Sequence, residues 1–141
     1  MSRKWLCAIS WIPILAAGQS AAVTIQVPLD QPTIQAGIDA AAVGDTVLIA
    51  PGLYTGADNT ILNFNGKDIV VAGAGPDVTI LDCQDHGSPV LRFENGESRS
   101  AILRDLSLRN NYHFYEPTGV IIDESSPSLI NVHLAEFGGD D

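Results

Sequence analysis

Apolar residues recur along this chain in short alternating runs, which predicts a protein built mainly of β-strands. The clearest run is Ser100–Asn111, and its pattern returns in Ser126–Phe137, 26 positions later (from 100 to 126). The aligned pairs are Leu103 with Leu129, Leu106 with Val132, Leu108 with Leu134, and Asp105 with Asn131. Repetition at this period is typical of a solenoid, in which each short unit buries its apolar side against its neighbours.

Shorter runs extend the repeat upstream. Val78–Gln84 aligns with the start of the Ser100–Asn111 run at an offset of 23 residues (from 78 to 101), which places Asp82 in the column of Asp105. Four runs are predicted to be equivalent strands of successive coils, with the first two offset by 22 residues (from Ile49 to Val71): Asp45–Ala50, Lys67–Ala72, Val90–Glu94 and Gly119–Asp123. Because equivalent strands recur in one direction, we expect them to pair in parallel. The polar segments Thr55–Asn65 and Asn111–Thr118 are predicted to be loops.

The segment before the first coil predicts a cap. Val23–Val27 alternates like a short strand, and Thr33 is a candidate N-cap for a helix over Ile34–Ala42 that Gly44 closes. An amphipathic helix at this place would cover one open end of the solenoid. We therefore assign residues 23–44 to an N-terminal cap and residues 45–141 to the coils.

The first 22 residues have the pattern of a secretory signal peptide. Arg3 and Lys4 precede the apolar run Trp5–Ala17, and small residues lead to a predicted cut before Val23. An uncleaved hydrophobic helix is the alternative. Cleavage would predict a secreted protein that is extracellular, periplasmic or on the cell surface, and that has no membrane contact afterwards. It would leave Cys83 as the lone cysteine, which we expect to be a small buried apolar residue.

The chain carries 17 acidic and 7 basic residues, for a formal net charge of −10. Such a surface repels the phosphate backbone of nucleic acids and anionic lipid headgroups. Nucleic acid is therefore excluded as a partner.

Several motifs occur in an order shared with a known family. They are Val-Pro-x-x-x-Pro-Thr-Ile-Gln-x-x-Ile-Asp-Ala-Ala, Gly-Asp-Thr-Val-Leu-Ile-Ala-Pro-Gly-x-Tyr, Gly66-Lys-Asp-Ile and Thr79-Ile-Leu-Asp82. From Val27 to Gly139 the chain resembles the N-terminal portion of secreted right-handed parallel β-helix proteins of the pectate-lyase-like superfamily. The resemblance implies an all-β fold, namely a right-handed parallel β-helix of about four coils with an N-terminal capping strand and short helix. It implies little about activity, because enzymes and non-enzymes of the superfamily share these motifs.

The C-terminal residues Gly138–Asp141 look like the start of a further coil in that family. We therefore expect the chain to be truncated at its C-terminus; a partner that covers the last coil is the alternative.

The first candidate site is a ladder of Asp82, Asp105 and Asn131 in one column. Stacked carboxylates repel unless a cation bridges them, and oxygen ligands of this type suit Ca²⁺. The alternative is a solvated ladder in which Asn131 donates hydrogen bonds along the stack. The sequence requires no cofactor, and Ca²⁺ is the candidate ion.

The resemblance suggests two catalytic arrangements. Lyases of the superfamily bind acidic polysaccharide through Ca²⁺ and use a basic residue to take a proton, a role in which Arg104 or Arg109 could stand. An arginine is not readily deprotonated, however, and no lyase motif surrounds either residue. Hydrolases of the superfamily use paired aspartates, which Asp140 and Asp141 resemble only superficially, because the supporting motifs are absent.

The second candidate site is a loop that contains Tyr112, Phe114 and Tyr115, with Tyr54 and Phe64 in turns elsewhere. Exposed aromatic rings suit the apolar faces of sugars, so we interpret this loop as a carbohydrate contact, with a polysaccharide or a cell-surface glycan as the partner. The alternative is a loop that folds back over its own coil. No histidine pairs with a cysteine or another histidine at metal-ligand spacing, and His133 is predicted to point outward.

Together these features predict a secreted β-helix scaffold or carbohydrate-associated binding module, the N-terminal fragment of a longer solenoid. The alternative is a pectate-lyase-like polysaccharide lyase or a glycoside hydrolase that acts on acidic polysaccharide, with an active groove mostly in missing coils. A role in periplasmic metal handling is a more distant alternative. The sequence favours a chain without enzymatic activity of its own and leaves the question open.

Overall fold

The structure is a computed structural model that describes residues 21–84, 90–111 and 119–137. Within these residues the elements follow one another as β1 (Thr24–Val27), α1 (Ile34–Ala40), β2 (Thr46–Ile49), β3 (Gly52–Tyr54), α2 (Ala57–Thr60), β4 (Leu62–Asn63), β5 (Val70–Ala72), β6 (Thr79–Asp82), β7 (Leu91–Phe93), β8 (Ile102–Asn111), β9 (Val120–Ile122) and β10 (Ser128–Phe137). The predicted signal peptide and the Gly138–Asp141 segment lie wholly or almost wholly outside the described residues.

The chain visits three strand positions in a repeating order. The first position holds β1, β2, β5 and the first halves of β8 and β10, and the second holds β3, β6 and the second halves of β8 and β10. The third position holds β4, β7 and β9, which form a separate three-stranded sheet. Every one of these strand pairs is parallel. The protein is therefore rich in β-strands and solenoid-like, with a curled sheet of parallel strands.

The strand registers confirm one predicted repeat and correct the others. Ile102 pairs with Ser128 and Leu103 with Leu129, which is the predicted offset of 26 (from 102 to 128). Val47 pairs with Val71, so the offset there is 24 (from 47 to 71) and not 22.

Two other predicted alignments are wrong. Ile80 pairs with Ser107 at an offset of 27 (from 80 to 107), so the predicted offset of 23 for Val78–Gln84 is incorrect. The strands β7 and β9 pair with each other in the third position. They are therefore not equivalent to β2 and β5, contrary to the prediction from the sequence. The predicted loop over residues 55–65 contains α2 and β4, and β3 was not predicted.

Both long strands turn a corner at a polar residue. Asp105 in β8 and Asn131 in β10 have φ angles of 57° and 52°, in the left-handed region where Asn and Asp are tolerated better than other residues with side chains. One coil earlier, Gly73 donates its N–H to the carbonyl of Arg104, and Gly75 donates to the carbonyl of Asp105, both at 2.9 Å. These contacts stack the corners, so that one strand passes from the first position to the second.

The interior is filled by aliphatic side chains that alternate with outward residues. The inward column of the first position consists of Ile25, Val47, Val71, Leu103 and Leu129. Phe64 and Phe93 meet in the third position with their ring centroids 4.6 Å apart. Cys83 is 1% exposed and belongs to the same core, which confirms its prediction as a small buried residue.

Helix α1 lies over the first coil, as predicted. Thr33 accepts a hydrogen bond from the N–H of Ala36 at 3.2 Å, which confirms it as the N-cap, and Ile34 and Ile38 are fully buried. The helix ends at Ala40, two residues before the predicted end. Lys67 donates from Nζ to the carbonyls of Ile38, Asp39 and Ala41 at 2.9–3.0 Å, so the next coil holds the C-terminus of the helix.

A buried glutamate links three successive coils on the side between the third and first positions. Glu97 is 2% exposed; its Oε1 accepts from the N–H of Gly66 at 2.8 Å, and its Oε2 accepts from the N–H of Asn95 at 3.0 Å and from Ser125 Oγ at 2.8 Å. Burial of the carboxylate raises its pKa, but these hydrogen bonds outweigh that effect and hold the pKa of Glu97 below its ordinary value. The charged form of Glu97 therefore stabilises the folded protein.

We expect Glu97→Gln to lower the free energy of unfolding at pH 7 by about 1–3 kcal/mol, because the amide places an N–H group against buried donors. A depressed pKa contributes stability that is present above the unfolded pKa and is lost as the pH falls through the folded pKa. The stability difference between the original protein and the variant should therefore shrink as the pH is lowered from 7 to about 3. Urea unfolding at several pH values measures this difference, and the other carboxylates cancel because both proteins carry them.

The matched control is Glu94→Gln. Glu94 is exposed and lies 3.4 Å from Arg92, an ion pair whose side chains are both about one-third exposed. This change should cost less than about 1 kcal/mol at any pH. A pH-independent loss of stability in Glu97→Gln would contradict the assigned role of the carboxylate.

Candidate functional site

The structure describes some of the predicted site residues and not others. The predicted carbohydrate contacts Tyr112, Phe114 and Tyr115 and the acidic pair Asp140 and Asp141 lie outside the described residues. Asp82, Asp105 and Asn131 are described, and the structure brings only two of them together.

Asp105 and Asn131 form a pair at the stacked corners. Asn131 donates from Nδ2 to Asp105 Oδ1 at 2.9 Å, and Arg104 Nη1 lies 2.7 Å from Asp105 Oδ2. The Asn131 amide lowers the pKa of Asp105 most, and Arg104 lowers it further. A cation bound at Asp105 would therefore have to share the carboxylate with an amide and a guanidinium.

Asp82 does not stand in that column, and this part of the predicted ladder is wrong. It pairs in register with Arg109 in the second position, because the offset between β6 and β8 is 27 (from 82 to 109). Asp82 accepts from Asn110 Nδ2 at 2.8 Å and from the N–H of Gln84 at 3.1 Å, and it lies 3.4 Å from Arg109 Nη2. Burial raises the pKa of Asp82, but its hydrogen bonds and the charge of Arg109 lower it by more.

Among the residues that the structure describes, no three His, Cys, Asp or Glu side chains lie close enough together to hold a metal ion. Ca²⁺ binding by the Asp105–Asn131 pair thus stays a prediction. Arg104 and Arg109 each lie next to a carboxylate, and a guanidinium is not readily deprotonated, so neither residue is suited to act as a base.

A group of outward side chains, both polar and apolar, lies on the second position. We call it the second-position outer face, and it consists of Leu53, Ile80, Asp82, Ser107, Arg109 and His133. One row across four strands contains Leu53, Ile80, Ser107 and His133. The next row contains Asp82 and Arg109. The predicted outward orientation of His133 is consistent with its exposure.

Arg109 is the main polar group of this face. Its side chain is 38% exposed, while its Nε is buried and has no hydrogen-bond partner among the described residues. A guanidinium presents several N–H donors in a fixed plane, and Asp82 beside it supplies acceptor oxygens. Donors and acceptors thus lie next to the apolar surface of Leu53 and Ile80.

The sequence did not reveal this grouping because the 23-residue alignment was wrong. With the correct offset of 27 (from 80 to 107), Ser107 comes beside Ile80 and Arg109 beside Asp82. Asp82 and Arg109 were singled out separately, as a metal ligand and as a candidate base, and Ser107 was not singled out at all.

Two aromatic residues that were interpreted as exposed have other roles. Phe64 is fully buried, so the prediction of an exposed ring is wrong. Tyr54 is half-buried and donates its hydroxyl to the carbonyl of Ala50 at 2.8 Å. Burial and the nearby charge of Asp82 raise the pKa of Cys83 to about 11, so its thiol stays protonated near neutral pH and is a poor nucleophile.

A shallow groove of about 240 Å³ lies elsewhere, at the carboxyl ends of β1 and β2. Its lining is mostly apolar and includes Pro28, Leu29, Leu48 and Pro51, with Gln26 as a polar side chain. Residues of the second-position outer face do not line it. The groove lacks charged groups that would orient a ligand.

Comparison of the chain with protein-family models, with curated proteins and with solved structures found no match. No helix in the described part of the chain is both long enough and apolar enough to cross a membrane.

Proposed function

We propose that this chain is a right-handed parallel β-helix that acts as a secreted scaffold and binds carbohydrate on its second-position outer face. The observation that carries the proposal is the placement of Arg109 and Asp82 in the row beside Leu53, Ile80 and Ser107 on parallel strands. The repeating order of the three strand positions supports the β-helix. A determined structure with left-handed winding would contradict it.

The chemistry of the face suits a sugar ring. A pyranose presents hydroxyl groups at its edges and C–H groups on its faces, so it needs both hydrogen-bonding groups and apolar surface. Arg109 donates, the carboxylate of Asp82 accepts, and the Ser107 hydroxyl can do both. Arg109 lies 3.4 Å from Asp82, which also accepts a hydrogen bond from Asn110, so these contacts already provide part of the side-chain ordering that binding requires.

The predicted aromatic contacts lie near this face in the sequence. Residues 112–118 directly follow β8, the strand that carries Ser107 and Arg109. Tyr112, Phe114 and Tyr115 are therefore close in sequence to the proposed binding face, and we propose that they extend it.

The proposal predicts that Arg109→Ala weakens glycan binding at least about tenfold, the effect of losing a charged hydrogen-bond donor. A glycan array identifies ligands for the purified protein, and calorimetric titration measures the affinity of the original protein and the variant. The matched control is Arg92→Ala, because Arg92 also lies 3.4 Å from a carboxylate but stands on the third position. This control should bind like the original protein.

Three outcomes would count against the proposal. The array could show no neutral or acidic glycan bound, or both arginine variants could bind equally well. The bound glycan could also be consumed: release of an unsaturated uronate product that requires Ca²⁺ would favour the alternative of a polysaccharide lyase.

A further inference from the structure

The hydrogen bonds of the described chain begin at Val23. Ala21 and Ala22 are exposed, and neither takes part in a hydrogen bond among the described residues. Val23 donates its N–H to Asp45 Oδ1 at 2.8 Å and accepts from the N–H of Thr46 at 2.9 Å. The strand β1 starts at the next residue. The hydrogen-bonded fold therefore starts at the residue before which the leader pattern predicts a cut.

Asp45 is held with its carboxylate towards Val23. It lies in the turn before β2 and is 9% exposed. Its other oxygen, Oδ2, accepts from the N–H of Ala42 at 2.9 Å, just beyond the end of α1. The hydrogen bond from Val23 lowers the pKa of Asp45 most, the bond from Ala42 lowers it further, and burial opposes both. Within the described ranges, no lysine or arginine forms an ion pair with this carboxylate.

Hydrolysis of the Ala22–Val23 peptide bond would change the group that Asp45 faces. Water adds across this bond, so that Ala22 ends in a carboxyl group and the Val23 nitrogen becomes an amino group. The proton released by the new carboxyl group is taken up by the amino group, which is an α-ammonium near neutral pH. A neutral donor is thereby replaced by a positive charge on the nitrogen that lies 2.8 Å from Asp45 Oδ1.

We propose that a signal peptidase cuts the chain between Ala22 and Val23 and that Asp45 binds the α-ammonium group created by the cut, an inference that rests on the secretion included in the proposed function. The ion pair supplies the cation that the carboxylate otherwise lacks among the described residues. A hydrogen bond between two charged groups is stronger than one from a neutral amide. The cut therefore stabilises the contact between the start of β1 and the turn before β2.

A cut at a neighbouring bond would not give this contact. Removal of Val23 would remove the donor, and each further residue left before Val23 would move the charge up to about 3.5 Å along the chain. Ser20 and Ala22 stand three positions and one position before the proposed bond, as in a small-x-small cleavage site. Ala22 and Val23 are exposed, so the bond between them is accessible.

The first test is the N-terminal sequence of the protein purified from a secreting host, with Val23 expected as its first residue. A secreted protein with a different first residue would overturn this inference alone. A chain that keeps its leader uncut and stays in the cell would also overturn the secretion on which the inference rests. Glycan binding by Arg109 is measured separately and does not depend on either result.

The second test compares the chain that starts at Val23 with a chain that starts at Ala21, prepared by removal of a cleavable tag. Both chains keep a nitrogen donor at Val23, but only the first has its positive charge there. At pH 6 the α-ammonium is charged, and we expect the chain that starts at Val23 to have an unfolding equilibrium constant at least about threefold smaller. Urea unfolding followed by circular dichroism measures both constants.

Asp45→Asn should abolish this difference, because asparagine still accepts a hydrogen bond but carries no charge. The matched control is Asp30→Asn, which should leave the difference intact, since Asp30 also accepts an N–H from β1, that of Gln26 at 2.8 Å. Equal stabilities for the two starts of the original chain would overturn the ion pair, whether or not the Asp45 variant folds. A difference that persists in folded Asp45→Asn would overturn it as well.

Discussion

Gly73→Ala is expected to lower the free energy of unfolding by about 3 kcal/mol or more, because the new methyl group has no space. A Cβ at Gly73 would collide with the carbonyl oxygen of Asp105 in the next coil, and would also lie 2.9 Å from Thr79 Cβ and 3.0 Å from Leu106 Cβ. The backbone oxygen cannot move aside without breaking the stacked corner at which β8 turns. Urea unfolding followed by circular dichroism measures the loss.

Gly52→Ala is the matched control for this prediction. Neither glycine has a positive φ angle, so alanine strains neither backbone. A Cβ at Gly52 would lie 3.4 Å from the ring of Tyr54, which is close to an ordinary contact. The control should change stability by less than about 0.5 kcal/mol. Equal stabilities for the two variants would show that the corner can accommodate a methyl group at Gly73, which would contradict the prediction.

The sequence predicted the long repeat and the start of the helix correctly. Ser100–Asn111 and Ser126–Phe137 match over enough positions to set one register, and that register is observed. Thr33 was found as an N-cap because helix starts have local chemistry that does not depend on the rest of the fold. The longer the matched pattern, the fewer alternative alignments fit it.

Shorter runs were predicted as strands but were placed in the wrong register. Alternation has a period of two, so the run over Asp45–Ala50 fits its neighbour equally well at 22 and at 24. The offset also depends on the length of the loop in each coil, and the alternation within a strand gives no information about that length. The wrong offset for Val78–Gln84 had the larger consequence, because it placed Asp82 beside Asp105 and concealed the grouping with Arg109.

The sequence pattern was too weak to predict the short strands β3 and β4 or the corner at Asp105. The strand β3 contains Gly52, and β4 has only two residues, so neither shows alternation. The left-handed corner at Asp105 depends on contacts with Gly73 and Gly75 one coil earlier. No local pattern could have separated this corner from an ordinary strand position.

The last prediction concerns the centre of the core. Leu103→Ala should lower the free energy of unfolding by about 2–5 kcal/mol, the usual range for a fully buried leucine. Leu103 is 0% exposed and stands in register between Val71 and Leu129. It belongs to β8, which pairs with β5, β6 and β10 and thus joins the coils to one another. Neighbouring side chains are fixed by their own strands, so they cannot collapse into the space left behind.

Leu129→Ala is the matched control, since it removes the same atoms from the same column one coil further along. Leu129 is 41% exposed, so its loss should cost about 1 kcal/mol or less. Urea unfolding of both variants, followed by circular dichroism, measures the two losses of stability. Equal losses for both variants would contradict the decrease in burial along this column.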